Sequence, residues 1–267
     1  MKLDSIDIGG VLVSRLAAGS NPISGFSHAS SGRTQAMLDY FTCENTKRFF
    51  RACEDAGVNT VVARIDNFIM RTLREYWSEG GRIQWMAQTA PEHRDPLQNI
   101  AQAARAGACA VFVHGGAVGR LFAAKKSAEV RAQLEHIRGL GLPAGMAAHR
   151  PEYLLEAQEG GFPVNFFNVC LYNVDGYQGN QGEEPRELFD DADRAHALAT
   201  MRRLERPCFA YKVLAAGRKS PAEGLRDVAP ALRRSDGVIL GMFPPDAQDI
   251  VGANVDLFAR MAGSRER

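Results

Sequence analysis

The chain has 267 residues, 45% of them hydrophobic, and its 32 basic and 31 acidic residues leave a formal net charge of +1. That length fits one α/β barrel and that apolar content can fill its core, while the balanced charge offers no basic face to nucleic acid or anionic lipid. No apolar run reaches membrane-span length, Met1–Gly10 lacks the apolar stretch of a signal peptide, and the five cysteines (Cys43, Cys53, Cys109, Cys170, Cys208) form no CxxC pair. Reduced thiols and a cytoplasmic location are expected.

In chain order, Met1–Val13 reads as a hairpin turning at Gly9-Gly10 that closes the bottom of the fold. An apolar run of strand length followed by an amphipathic stretch then recurs eight times. The strand candidates are Leu12–Gly19, Thr60–Arg64, Ile83–Gln88, Ala110–His114, Ala144–His149, Val164–Tyr172, Pro207–Leu214 and Gly237–Met242. The helix candidates are Asn45–Ala56 with Asn45 as N-cap, Phe68–Gly80, Asp95–Ala106 with Pro96 at its first position, and Ser127–Gly139 capped by Ser127. They continue with Pro151–Glu159, Asp191–Arg203, Ser220–Leu232 behind the capping box Ser220–Glu223, and Asp246–Met261. Asn21–Thr42 and Asn173–Asp190 read as long polar loops, and Ser264–Arg267 as a frayed end. Strands alternating with helices at this pace predict a parallel sheet closed into a (β/α)8 TIM barrel, a single domain over residues 1–267 with a short N-terminal β-hairpin.

Such a barrel does its chemistry at the C-terminal ends of its strands, so polar residues there are the candidates. Lys212 shares a face with Ala210 and Leu214, and on the lumen side it would be a cation in apolar surroundings; with Tyr211 facing in, it would lie between helices instead. His114 precedes Gly115-Gly116, which let a ligand approach the backbone, and His149 ends the fifth strand. Arg64 and Asp66 end the second strand, and Gln88, Asn168 and Tyr172 fall at other strand ends. Asn21 opens the first long loop, and His28 is a weaker candidate within it. Arg218, in Ala215–Ser220 ahead of a capped helix, could hold an anion. His93, His136 and His196 read as solvated.

The scaffold resembles that of the aldo/keto reductase superfamily. The likeness lies in Val13–Gly19, Gly145–Ala157, the Asn168–Asn173 stretch with its Tyr-Asn pair, Tyr211–Gly217, and Gly237–Asn254 with its asparagine. The resemblance implies a barrel and, in full members, nicotinamide-dependent carbonyl reduction by an Asp, Tyr, Lys, His tetrad. Here the tetrad aspartate falls at Val62 and the lysine at Gln88, no tyrosine lies in Asn67–Met70, and only His114 matches. The polar pair that holds the nicotinamide amide becomes Ala147-Ala148, the phosphate-gripping cations are missing from Met242–Asp246, and Tyr211 stands where a ring-stacking residue would.

These residues favour a cofactor-independent enzyme of lyase or isomerase type acting on a small polar carbonyl or phosphorylated metabolite. Lys212 would be nucleophile or electrostatic stabiliser, His114 and His149 proton carriers, and Asp66 an orienting group. Arg64, Gln88, Asn21, Asn168, Tyr172 and Arg218 would bind substrate. The alternatives are an NADP-dependent reductase and a metal-dependent hydrolase or lyase built on His114, His149 and Asp66, with a ligand-binding protein without catalysis behind them.

Overall fold

The computed structural model describes residues 3–174 and 189–263, so most of Asn173–Asp190 and the tail from residue 264 lie outside the described residues. The predicted hairpin is present: β1 (Ser5–Asp7) pairs antiparallel with β2 (Leu12–Ser14). Its turn is built by Asp7, whose Oδ1 accepts from the amides of Gly9 at 2.8 Å and Gly10 at 2.5 Å. Both glycines have positive φ, +109° and +92°, which a side chain would oppose.

Eight parallel strands then close a barrel: β3 (Leu16–Gly19), β4 (Thr60–Arg64), β5 (Gln84–Gln88), β6 (Ala110–Val113), β7 (Ala144–Ala148), β8 (Phe166–Cys170), β9 (Cys208–Tyr211) and β10 (Gly237–Gly241), with β10 pairing back onto β3. The predicted Leu12–Gly19 strand is in fact two, β2 and β3, separated at Arg15. That side chain turns into the barrel bottom, where its Nε donates to the Asp236 carbonyl at 3.0 Å and its Nη2 to the Arg233 carbonyl at 3.1 Å.

Side chains alternate along each strand, and the two faces separate accordingly. Ala17, Val62, Met86, Phe112, Ala147, Phe166, Phe209 and Ile239 fill the lumen with Ile6, Ile8 and Val13 of the hairpin, which plugs the bottom. Their alternates, such as Val61, Trp85, Val111, Val169 and Ala210, pack outward against the helices.

Helix positions follow the predicted order, with corrections where capping and tertiary contacts decide. The loop expected over Asn21–Thr42 contains α1 (Ser31–Tyr40), capped by Ser30. Next comes α2 (Cys43–Asp55), capped by Thr42 rather than Asn45; the Thr42 Oγ1 accepts from the Asn45 amide at 3.2 Å. Asp66 caps α3 (Asn67–Ser78), and Asp95 caps α4 (Pro96–Arg105) with Pro96 at its start. A helix not expected from sequence, α5 (Gly115–Ala123), is capped by His114. Ser127 is the first residue of α6 (Ser127–Gly139) rather than its cap. The rest are α7 (Glu152–Glu159), α8 (Asp191–Met201), α9 (Pro221–Val228) with the predicted capping box, and α10 (Ile250–Gly263). No helix of the described residues is long and apolar enough to cross a membrane, and none of the five cysteines is in a disulfide.

Candidate active site at the barrel mouth

Continuing the lumen-facing register one step beyond the apolar layer brings Gln88 after Met86, His114 after Phe112, His149 after Ala147, Asn168 after Phe166 and Tyr211 after Phe209. All five line one cavity of about 1560 Å³ at the C-terminal mouth, together with Asn21, Arg64 and Lys212. Seven of the ten site residues expected from sequence line this mouth and Asp66 borders it through Arg64; Tyr172 and Arg218 do not line it.

His114 is fixed by its backbone. Its amide donates to Thr89 Oγ1 at 3.0 Å, and its Nδ1 accepts the Gly116 amide at 3.0 Å, which caps α5. The accepting Nδ1 keeps its lone pair, so the proton sits on Nε2. Burial, His149, Arg64, Lys212 and Arg120 all disfavour a second proton and push the pKa from 6.5 down to about 3. His114 is therefore held neutral near pH 7, with Nε2 as its hydrogen-bond donor. The His149 ring stands edge-on to it at 6.2 Å, and Tyr211 lies 6.4 Å beyond. Gly115 makes this crowding possible: a Cβ there would meet Tyr211 Oη at 2.9 Å and His149 Nε2 at 3.2 Å.

Lys212 reaches the mouth by a route that strand alternation does not contain. Tyr211 takes the lumen-facing position, and β9 ends there. Lys212 follows with a φ of +60°, rare for a side-chain-bearing residue, and this turn directs its amine into the cavity 3.0 Å from His28 Nε2. His28, also at positive φ (+53°), is held from two more sides. Asn21 Nδ2 approaches its Nε2 at 3.4 Å, and Arg218 Nη1 donates to its carbonyl at 3.2 Å.

Four of the expected residues are engaged by the fold itself. Arg64 is not an open anion site: its guanidinium pairs with Glu92 and lies 3.4 Å from Asp66 Oδ2, with the Phe26 ring 5.5 Å away. Asp66 spends Oδ1 on the α3 cap, accepting from the Ile69 amide at 2.9 Å, and supports Arg64 from outside the cavity. Tyr172 is fully buried against Phe189, so it faces the protein and not the mouth. Arg218 stacks over the same Phe189 ring at 4.4 Å and serves the His28 carbonyl. The anion site expected ahead of α9 is already satisfied, because Glu223 Oε2 accepts from the Ser220 amide at 2.8 Å and from its hydroxyl at 2.6 Å. Lys219 is paired with Asp227 at 3.0 Å.

Asn168 is 1% exposed and lines the cavity floor, yet neither Nδ2 nor Oδ1 has a hydrogen-bond partner among the described residues. Beyond those ten, the mouth contains His28, the weaker loop candidate, together with Tyr211, Glu92, Arg120 and Arg150. Positive-φ turns and loop closure bring in the first of these, and such placement leaves no periodic trace in sequence.

Among the described residues no three His, Cys, Asp or Glu side chains come together to hold a metal ion, so the triad of His114, His149 and Asp66 is not assembled. The groups needed for nicotinamide chemistry fit poorly. Val62 is an apolar lumen residue, Gln88 is an uncharged amide, and of the cations near the seventh loop Lys219 pairs with Asp227 while Arg218 serves the His28 carbonyl. Tyr211 offers a ring face, and the cavity continues past it toward Phe243, Ile250, Ala253 and Leu257.

No family model and no curated protein matches the sequence. The fold is similar to that of a Pseudomonas aeruginosa protein assigned by name as an aldo-keto reductase, with TM-score 0.60, 16% identity, and coverage of 96% of this chain and 93% of that one. It is also similar to dihydropteroate synthase from Xanthomonas albilineans, with TM-score 0.53, 12% identity, and 100% and 99% coverage. A truncated 3-deoxy-D-arabino-heptulosonate 7-phosphate synthase from Thermotoga maritima gives TM-score 0.52, 12% identity, and 98% and 90% coverage. Identities this low establish the shared scaffold: the chain folds as a closed eight-stranded barrel like that of the aldo/keto reductases.

Proposed function

We propose that the chain is a cofactor-independent enzyme of lyase or isomerase type that acts on a small polar carbonyl compound through Lys212. The observation that carries this reading is an amine turned into a barrel mouth and set 3.0 Å from an imidazole. His28 Nε2 is the acceptor for a Lys212 proton, which frees the amine to attack. The new C–N bond forms as the carbonyl oxygen gains protons and departs as water, leaving an iminium. The iminium then accepts the electron pair of an adjacent C–H or C–C bond and becomes an enamine; a proton added at carbon restores an iminium, and water hydrolyses it to release the carbonyl product and return Lys212. The neutral His114 donates from Nε2 to the substrate oxygen, the pattern of an imidazole held neutral at a helix N-terminus. His149, opposite it, takes the proton from the adjacent carbon or hydroxyl. Asp66 and Glu92 keep Arg64 extended along the rim.

Incubation with pyruvate, glyceraldehyde or dihydroxyacetone phosphate and cyanoborohydride, followed by peptide mapping, tests this. A reduced adduct on Lys212 that disappears in Lys212→Gln is expected. Adducts confined to Lys125, Lys126 or Lys219 overturn it.

The nicotinamide-dependent reading has one observation in its favour, the extension of the cavity from Tyr211 along α10. Saturable quenching of NADPH fluorescence, lost in Tyr211→Ala, would establish that alternative.

A further inference from the structure

Two polar features of the mouth have no part in the chemistry at Lys212. The first is Asn168. A buried amide without partners is costly to the fold, so such a side chain is matched to atoms that a ligand brings. Nδ2 asks for an acceptor and Oδ1 for a donor, side by side on the cavity floor. Gln88, the two imidazoles and the Tyr211 phenol stand on the same rim, a set that donates and accepts and carries no carboxylate. Neighbouring hydroxyl and oxo oxygens on a carbon skeleton fit this set.

The second feature lies on the wall formed by α5. Gly116, Gly119, Arg120 and Ala123 share one helical face at i, i+3, i+4 and i+7, and all four line the cavity. Three of them are small and leave a trough, and the fourth is a guanidinium. Arg150, next to His149, faces the same cavity with its guanidinium 5.4 Å from the Tyr153 ring centroid. Arg33, Arg64 and Lys219 of this cavity are paired with Asp246, Glu92 and Asp227. Arg120 and Arg150 have no carboxylate partner among the described residues. Arg120 also lies near enough to His114 to disfavour a second proton on it, which places its charge toward the mouth.

We propose that the mouth binds a hydroxylated oxo compound with one anionic group, its adjacent oxygens on Asn168 and its anionic end on Arg120 and Arg150. This deepens the carbonyl reading above and requires the mouth to be a ligand site, but it does not require a covalent Lys212 adduct. The anion is a phosphate or a carboxylate, since two unpaired guanidinium groups accept either.

The test is calorimetric binding to the full chain carrying Lys212→Gln, which removes imine formation. The probes are dihydroxyacetone phosphate, hydroxypyruvate, uncharged dihydroxyacetone and nicotinamide. At least one anionic probe is expected to bind about tenfold or more tighter than dihydroxyacetone, the loss of a charged hydrogen bond being of that size. Which anionic probe binds tighter identifies the anion. Arg120→Gln with Arg150→Gln, both at exposed positions, should erase the difference, and Asn168→Leu should weaken all three oxo probes. Equal binding of charged and uncharged probes, an unchanged difference in the arginine double variant, or preference for nicotinamide overturns the proposal. Binding as expected without any Lys212 trapping would retire the imine mechanism and leave this inference standing.

Discussion

At the bottom of the barrel, Asp236 is fully buried and both carboxylate oxygens are engaged. Oδ1 accepts from the Cys208 amide at 3.0 Å and Arg233 Nη2 at 2.8 Å, and Oδ2 from the Arg233 amide at 2.9 Å and Nε at 2.7 Å. At the top, Asn168 is almost equally buried, and neither of its amide atoms has a hydrogen-bond partner among the described residues. Positive φ at residues bearing side chains also gathers around the mouth, at His28, Lys212, Ala215 and Ala216. One end spends its polar groups on the fold; the other holds them in reserve under local strain, which is how a site differs from a scaffold.

The contrast can be broken most forcefully from below. Asp236→Ala strands Arg233 and should cost about 3–5 kcal/mol, lowering the thermal midpoint by about 10 °C while leaving probe affinity at the mouth intact. Equal loss of both would show that the two ends are not separable.

Gly115→Ala tests the crowding at the top. Its Cβ would press on Tyr211 and His149, so about 1–3 kcal/mol of stability and most probe binding should go together in melting and calorimetry. Unchanged binding would remove these rings from the site.

The pH dependence sharpens the account of His114. An unfolded histidine titrates near 6.5 and His114 at about 3, so between those values only the unfolded chain carries the proton. Stability therefore falls as pH drops through this window, by no more than about 1.4 kcal/mol per unit. His114→Asn keeps a helix-capping side chain and removes the titration, so its melting temperature should vary less with pH across the window. An identical slope would show that His114 is not the group responsible.

The barrel was legible because period-two apolar runs ending in Gln88, His114 and His149 carry both fold and site in one pattern. Lys212 lines the mouth, but strand periodicity does not carry it there. Alternation puts it with Ala210 on the helix-facing side, and only the turn after Tyr211 brings it round. Asp66 shows that an acid at a strand end is equally the N-cap of the next helix: Oδ1 caps α3 while Oδ2 stays beside Arg64. α1 left little periodic signal because Met37 is its one fully buried residue. Its placement comes from contacts far along the chain, with Arg33 paired to Asp246 and over the Phe243 ring at 4.5 Å. The cap that starts α5 at Gly115-Gly116 is a histidine, outside the usual capping set.

The smallest effect is also the most direct test of a polar group held in reserve, namely the melting of ligand-free Asn168→Leu against the parent chain. Replacing an unpartnered buried amide with an apolar side chain of similar size should raise stability by about 1 kcal/mol, moving the midpoint up by about 2–4 °C. A variant that melts lower than the parent would show that Asn168 serves the fold, and the contrast between the two ends would fail.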